Sequence, residues 1–512
     1  MSQILPPAYW ALTAAILLWD VQLGGRIAQN RRVPRPLALV SGMVALLVIP
    51  AAVAAAAAPS LLSGRAVRGI AWLWPALTAL CTLQVLYTLV RRHVTPAVGI
   101  PFLVHDVVLT AVAVARHQLL SGGEQVAWVA GLSAAHAGAL GILLGEQALY
   151  SPLALHPPLI APVTPARWRL SAGIRAGLAV FATAWSALVL VVEYPRSVRA
   201  VRAFAGFADA RLQERPAGDF AIGLRIFPPL DAPPTPLVLR NDMSLLDSLD
   251  IDVVSLTIQP AGARPLVLDS IARLLEPVRR DTTMLIVSLG YPGDARAAWS
   301  ASPERYTGER MRELREILRR LRPDIVIPAA DPYGAGARAL GELPVEAWQR
   351  YFTTAAEVVQ EVRPRTQLAM SLGTFHSRDS LLHAWAADRA SPVEAVGFTL
   401  FPGFDGGLSL RARMSAVDRW MDAAANPTRA PKPHWIFGAG GYPLAHGEMS
   451  QRNALWGTLA WATTHPSLRG LIVTDAADYR RIAGLRATSG RLRPATGAVA
   501  QAVVLLRETI IQ

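Results

Sequence analysis

Lys432-Pro433-His434-Trp435-Ile436-Phe437-Gly438-Ala439-Gly440-Gly441-Tyr442-Pro443 is the stretch whose reading decides the fold of the C-terminal half. Its short β-favouring core is bounded by a proline and a glycine run, so it reads as a buried strand and not as a helix segment. Residues 450–465, which follow, carry apolar side chains at helical spacing. Strand, glycine-bearing loop and amphipathic helix together make one β/α unit, and that unit recurs. Strands are expected at 220–227, 252–258, 283–289, 325–328, 367–372, 395–400, 434–437 and 471–474, with helices at 306–321, 344–362 and 410–425 among those between them. Eight units in about 295 residues predict a (β/α)8 TIM barrel over 218–512. An open doubly wound sheet is the alternative, but no Gly-rich phosphate loop follows the first strand.

Upstream of residue 218 the pattern is different. The 512-residue chain is 52% hydrophobic and 17% charged, with a mean hydropathy of +0.31, too apolar for an ordinary soluble protein of this length. Runs long enough to cross roughly 30 Å of hydrocarbon fall at 8–24, 37–58, 70–90, 100–120, 126–149 and 174–192. They predict a transmembrane domain of about six helices over 1–195 and a linker at 196–217. The first run, interrupted by Asp20, and the fourth, which holds His105 and Asp106, are the least regular. The N-terminus lacks the basic region of a cleavable signal peptide.

The formal charge of +13 raises nucleic acid as a partner, and its distribution argues against one. Residues 1–217 hold 17 basic and 7 acidic groups, whereas 218–512 hold 33 and 30. Basic residues are retained on the cytoplasmic side of a membrane. Arg26, Arg31, Arg32 and Arg35, then Arg91 and Arg92, then Arg167, Arg169 and Arg175 follow runs one, three and five; the intervening connections hold Arg65 and Arg68. The N-terminus is therefore expected outside, and six crossings return the chain there, placing the barrel on the periplasmic or extracellular face of a bacterial inner membrane. Arg196, Arg199 and Arg202 oppose this, although a long translocated domain overrides nearby charge. Lys432, the one lysine beside 49 arginines, reads as codon bias. With Cys81 the one cysteine, no intrachain disulfide or Cys-based metal site is expected.

In such a barrel the chemistry lies on loops after the strands. Those loops carry Gln259, Tyr291, Asp331, His376, Phe401, Asp405, Tyr442 and Asp475, with Trp435 on strand seven. Each has a plain structural reading beside the functional one. Asp331 before Pro332 suits a turn cap, Asp405 beside Gly406-Gly407 a turn, Asp475 a helix N-cap and His376 an ordinary loop position. Trp435 and Phe401 suit a core or a cleft wall.

Three stretches, Ile327-Pro328-Ala329-Ala330-Asp331-Pro332-Tyr333, Val396-Gly397-Phe398-Thr399-Leu400-Phe401-Pro402, and Lys432 to Ile436 continuing through Gly447-Glu448 and Gln451, carry a resemblance. This half resembles the (β/α)8 glycoside hydrolases of the superfamily with catalytic glutamates after strands four and seven. The resemblance implies a sugar cleft lined by Gln259, Tyr291, His376, Phe401, Asp405, Trp435 and Tyr442, with no cofactor and no metal. At the acid position the chain offers Asp331, and at the nucleophile position Gly438 or Ala439 stands where a carboxylate is required. Two expectations follow. In the favoured one the barrel is catalytically degenerate and serves as a binding or scaffold subunit for other integral membrane proteins or an envelope polysaccharide. In the other it is an active membrane-tethered glycosidase, with Asp331 as acid/base and Asp475 or Asp405 as second carboxylate.

Within the crossings, His105, Asp106, His117 and His136 are ionisable groups at a costly depth. His105 and Asp106 point about 100° apart on a helix and do not read as a ligand pair. The small residues from Ala135 to Gly141 read as a helix-packing face.

Overall fold

The computed structural model describes residues 5–57, 69–121, 126–150, 155–163, 169–216, 218–279, 283–425, 431–479 and 482–508. Arg65, Arg68 and Arg167 lie outside them. Among the described residues six helices are long and apolar enough to cross a membrane. They are α1 (Leu5–Gln29), α2 (Arg35–Ala57), α3 (Leu73–Val90), α4 (Pro96–Ser121), α5 (Ala127–Leu144) and α6 (Arg169–Ala187) with its continuation. The sixth passes through a π turn, Leu188–Glu193, into α7 (Tyr194–Ala203) and a 3-10 turn ending at Phe207. Pro195 explains the π turn: it has no N–H and its ring clashes with the carbonyl four residues back, so the ladder widens there. Its helical span, Ser171–Phe207, is 37 residues. At 1.5 Å per residue that is about 55 Å, well beyond the hydrocarbon thickness, so its end projects from the bundle. Residues 196–207, inside the expected linker, are thus helical.

The fifth crossing is not the continuous helix that the run 126–149 suggested. Helix α5 ends at Gly145, which takes φ 59°. Gly131 packs on Val198 and Gly138 on Glu193, so α5 runs antiparallel to the π turn and α7, level with the projecting half of the last helix. The return through the bundle is made by the extended segment 155–163, in which residues 156–162 are buried. Its backbone N–H groups find no helical partners. Those of Leu159, Ile160 and Ala161 donate instead to Asp106 Oδ1 at 3.0 Å, Asp20 Oδ1 at 3.1 Å and Gln84 Oε1 at 2.9 Å, and Gln84 Nε2 donates back to Ala161 O at 3.0 Å. Non-helical backbone at membrane depth is tolerated only where protein satisfies it. The carboxylates that made runs one and four irregular meet that requirement.

The C-terminal half is a closed barrel of eight parallel strands in sequence order. They are β1 (Ala221–Arg225), β2 (Val253–Ile258), β3 (Met284–Leu289), β4 (Ile325–Ile327), β5 (Gln367–Leu372), β6 (Ala395–Leu400), β7 (His434–Ala439) and β8 (Leu468–Val473). Pairing of Ile222 with Leu471 closes the ring, which disposes of the open sheet. Strand β7 runs two residues further than expected, through Gly438 and Ala439, and β8 starts three residues earlier. Gly438 pairs with Thr399 as strand, just past a register shift between Phe398 and Thr399. Trp435 and Phe437 stack at 6.1 Å inside the barrel among Val253, Ile286, Ile327 and Ile472. The outer helices include α8 (Pro236–Leu249), α9 (Pro265–Leu275), α10 (Pro303–Arg320), α11 (Val345–Val362), α12 (Ser377–Ala387), α13 (Gly407–Ala424), α14 (Glu448–Thr463) and α15 (Pro494–Glu508). Lys432 does structural work: its Nζ donates to the carbonyls of Ala386, Ser391 and Val393 at 2.9, 3.1 and 2.6 Å.

The two halves are packed together along α5. Ser133 Oγ donates to Leu444 O at 2.7 Å, and Ala137 and Leu149 pack with Phe401, Tyr442 and Ala445. Gly141 receives the Phe404 ring; a Cβ there would lie 2.3 Å from Phe404 Cζ. The small-residue stretch expected to meet neighbouring helices does so through Ala135, Gly138 and Ala139, and its Ala137 and Gly141 meet the barrel as well. Overpacking such a contact costs about 1–3 kcal/mol. Gly141→Leu should lower the thermal midpoint of the detergent-purified protein by several degrees, and an unchanged midpoint would show that Phe404 does not seat there.

Candidate active site at the strand ends

Asp331 follows β4 in a left-handed conformation, φ 49°, unusual for a residue with a Cβ. Its N–H donates to Ser371 O at 3.0 Å and its Oδ2 accepts from Ala335 N–H at 3.2 Å, which makes it the cap of the turn 332–336. Oδ1 is buried with no hydrogen-bond partner. Burial, followed by the nearby Asp379 carboxylate, pushes its pKa up to about 6, while Arg338 opposes the shift. A half-protonated carboxyl near neutrality is what a general acid needs, and Asp331 has that property. Its cap role is real as well.

Asp379 is the carboxylate whose charge bears most on Asp331, and the expected partners Asp475 and Asp405 are not among the groups that shift it. Strands β4 and β8 lie diametrically opposite in the closed ring, and Asp475, after β8, pairs with Arg225 of β1 at 2.6 Å. Asp405 is exposed in the tight turn where Gly403 bridges Gly406. Glu448 is buried and bound to Arg491 and Arg493, and Arg493 also holds Asp478 at 2.6 Å, so these groups tie the loop after β8 to α14. Asp379, the carboxylate nearest in effect to Asp331, accepts from Thr374 N–H, Thr374 Oγ1 and Phe375 N–H at 2.9, 2.6 and 2.8 Å, and anchors the loop after β5.

Strand seven carries no carboxylate at Gly438 or Ala439, and Gly438 is tightly flanked: a Cβ there would lie 3.3 Å from both Thr399 Cγ2 and Thr474 Oγ1.

The expected sugar-site residues are scattered. Gln259 lies over Gly290, and Tyr291 donates to Ala330 O at 3.0 Å, its hydroxyl held far above its usual pKa by burial. His376 is exposed and precedes α12. Phe401 and Tyr442, 5.4 Å apart, are buried against the membrane half, and Trp435 is inside the barrel. Sequence reasoning missed Asp242, which accepts from Phe227 N–H at 2.9 Å and from the Tyr479 hydroxyl, and which burial pushes up to about 6. Asp379 lies three residues after His376 in the sequence, and capping logic ranks it above His376. Nothing in the local sequence marked Asp242.

In the membrane half, His105 and Asp106 are partners after all: His105 Nδ1 and Asp106 Oδ1 are 2.9 Å apart. His156, also missed, sets its Nε2 3.0 Å from His105 Nε2 and stacks on Trp185 at 4.1 Å with an 8° interplanar angle. Among the described residues no group of three or more His, Cys, Asp or Glu is arranged to hold a metal ion.

No family model matches the chain, and none of the curated proteins matches it. Solved structures do resemble it in fold. A Ruminococcus gnavus β-glucuronidase superposes with a TM-score of 0.41 and 10% identity, over 56% of this chain and 50% of that one. The family 1 β-glucosidase of Thermotoga maritima gives 0.44 and 11%, over 59% of this chain and all of the other. Bacteroides uniformis β-glucuronidase 2 gives 0.41 and 11%, over 55% and 35%. The chain spans half the length of the first of these. The barrel architecture stands on the strand pairing itself.

Two tests follow from the geometry. Asp331 has a folded pKa of about 6 against a reference value of 3.8, so the native state holds its proton more tightly than the unfolded chain does. Its contribution to stability is fully present below about pH 4 and is lost as pH rises through about 6; Asp242 acts with the same sign. Asp331→Asn should therefore flatten, without abolishing, the fall in thermal midpoint between pH 4 and 7. Parallel wild-type and variant curves would refute the shift. Arg493→Met removes the ion-pair partner of the buried Asp478, while Arg491 still holds Glu448, and should cost about 3–5 kcal/mol in chemical denaturation.

Proposed function

We propose that the chain is a multi-pass membrane protein of an inner membrane, with a glycoside-hydrolase-like barrel that has lost hydrolysis and acts as a binding or scaffold subunit. The observation that carries this reading is at the strand ends: Gly438, with no carboxylate, sits tightly against Thr399 and Thr474, and Asp475, at the strand opposite Asp331, is paired with Arg225. Hydrolysis by the two-carboxylate route needs a partner about 5–9.5 Å from the acid. The loops after β6 and β7, which in a working cleft would meet substrate, here carry Phe401, Phe404 and Tyr442 against α5. A single crossing is enough to tether a domain, and six supply a lateral surface for other membrane proteins.

The division proposed is a bundle over 1–195, the connecting 196–217 and the barrel over 218–512, with N-terminus and barrel on the extracytoplasmic side. Loop arginines support that orientation. So does the helix order: five crossings separate the N-terminus from the start of α6, and the sixth brings the chain back to the N-terminal side. A reporter active only in the cytoplasm, fused after Gln512, should give no signal.

A second reading is favoured by one observation, the raised pKa of Asp331, which suits an acid in an active glycosidase on envelope or exported glycans. The full-length protein in mild detergent should show no turnover of aryl glycosides or envelope polysaccharides. Turnover that Asp331→Asn abolishes would replace the degenerate-barrel reading with this second one.

A further inference from the structure

A cavity of about 60 Å³ lies inside the membrane half, beneath the one-turn helix Pro443–His446 of the barrel. Arg116, His117, His136 and His156 contribute polar groups to its wall, and no lining residue is a carboxylate. Trp74, Leu109 and Leu444 are among the apolar remainder. His136 is 2% exposed, and neither of its ring nitrogens has a hydrogen-bond partner. Buried polar atoms are almost always bonded, so this pair calls for an occupant. The volume exceeds that of one water, and an apolar wall gives several waters too few partners.

The hydrogen-bond chain specifies what the occupant offers. Asp106 Oδ1 accepts from Leu159 N–H at 3.0 Å and also faces His105 Nδ1 at 2.9 Å; with Asp106 ionised and His105 a neutral imidazole, the His105 proton sits on Nδ1 and its Nε2 is a lone pair. His156 Nε2, 3.0 Å away, must then carry a proton, which leaves its Nδ1 as an acceptor with nothing to accept from. The cavity thus presents a guanidinium and the N–H of a neutral His136 as donors, and the His156 Nδ1 lone pair as acceptor. A monoprotonated phosphate monoester supplies acceptor oxygens, negative charge and one P–OH donor. A carboxylate supplies no donor and would leave His156 unsatisfied. A membrane source of the phosphate fits the wall: Ala71 lines the cavity, and its sequence neighbours Ile70 and Trp72, apolar and 42% and 53% exposed, lie at the entry to a helix apolar enough to cross a membrane.

We propose that this cavity binds the phosphate-monoester headgroup of a membrane amphiphile, held by Arg116, His136 and His156, with Leu444 making the barrel the lid of the site. The loop that follows β7 would then report occupancy of the membrane half to the barrel. This site does not depend on whether the barrel hydrolyses glycans.

The test is isothermal titration of the full-length protein in dodecyl maltoside micelles with dodecyl phosphate, dodecanoate and inorganic phosphate. Saturable binding of dodecyl phosphate, at least tenfold tighter than either comparison, is expected. His136→Leu, which removes the donor, and Leu444→Trp, which fills the cavity without touching a polar group, should each weaken it at least tenfold while the gel-filtration profile stays that of wild type. Equal affinity for dodecanoate would overturn the donor–acceptor argument, and equal affinity for inorganic phosphate would overturn the membrane source. Absence of binding, or binding unchanged in both variants, would overturn the site itself. The ligand comparison on the wild-type protein decides the matter even if a variant misfolds, and glycoside turnover leaves it untouched.

Discussion

The structure depends on the close contact between α5 and the loops at the strand ends of the barrel. Ser133, Ala137 and Gly141 lie four residues apart on one face of α5, and their small side chains let Leu444, Tyr442 and Phe404 approach the helix backbone. That face is given to the barrel, and α5 ends at Gly145. The return falls to the extended segment 155–163, and an extended segment in the bundle demands partners for its amides. Asp20, Gln84 and Asp106 are there to provide them. One packing choice thus explains three buried polar side chains on three different helices.

The same contact bears on the barrel. In a (β/α)8 enzyme the strand-end loops form the substrate cleft, and their aromatic residues are free to face it. Here Phe401 and Tyr442 are buried against Ala137 and Leu149. Carboxylates at the strand ends have settled into structural tasks: Asp475 with Arg225, Asp379 under the loop after β5, and Glu448 and Asp478 around Arg493. Asp331 and Asp379 each keep a buried carboxyl oxygen with no hydrogen-bond partner, and Asp475, at the strand opposite Asp331, is taken up by Arg225.

Much of the architecture was legible in the chain. Eight short apolar runs separated by amphipathic helices have a period that only a repeated β/α unit satisfies, and the hydrocarbon thickness makes long apolar runs readable without tertiary information. Strand boundaries slipped where glycine misled: Gly438 read as loop but pairs with Thr399 as strand. The candidate site was legible as a list and not as a constellation. Trp435 sits on a strand whose residues alternate between barrel interior and helix layer, and register alone decides which face it takes. His105 and Asp106 were set aside as a pair because ideal helix geometry separates adjacent side chains, yet their rotamers bring Nδ1 and Oδ1 within hydrogen-bond distance.

What the amino-acid order determined by itself was everything set by period and composition: six crossings, eight β/α units, the concentration of excess positive charge in the first 217 residues, and the lack of a glutamate on strand seven. These follow from local spacing and burial preference, which need no partner to be read. Tertiary structure alone decided that the α5 face meets the barrel, that the return crossing is unwound, and that His105, His136 and His156 gather under Leu444 beside a cavity. Such facts depend on contacts between residues tens to hundreds of positions apart, Ser133 with Leu444 being the longest drawn on here, and no local pattern carries information about so distant a neighbour.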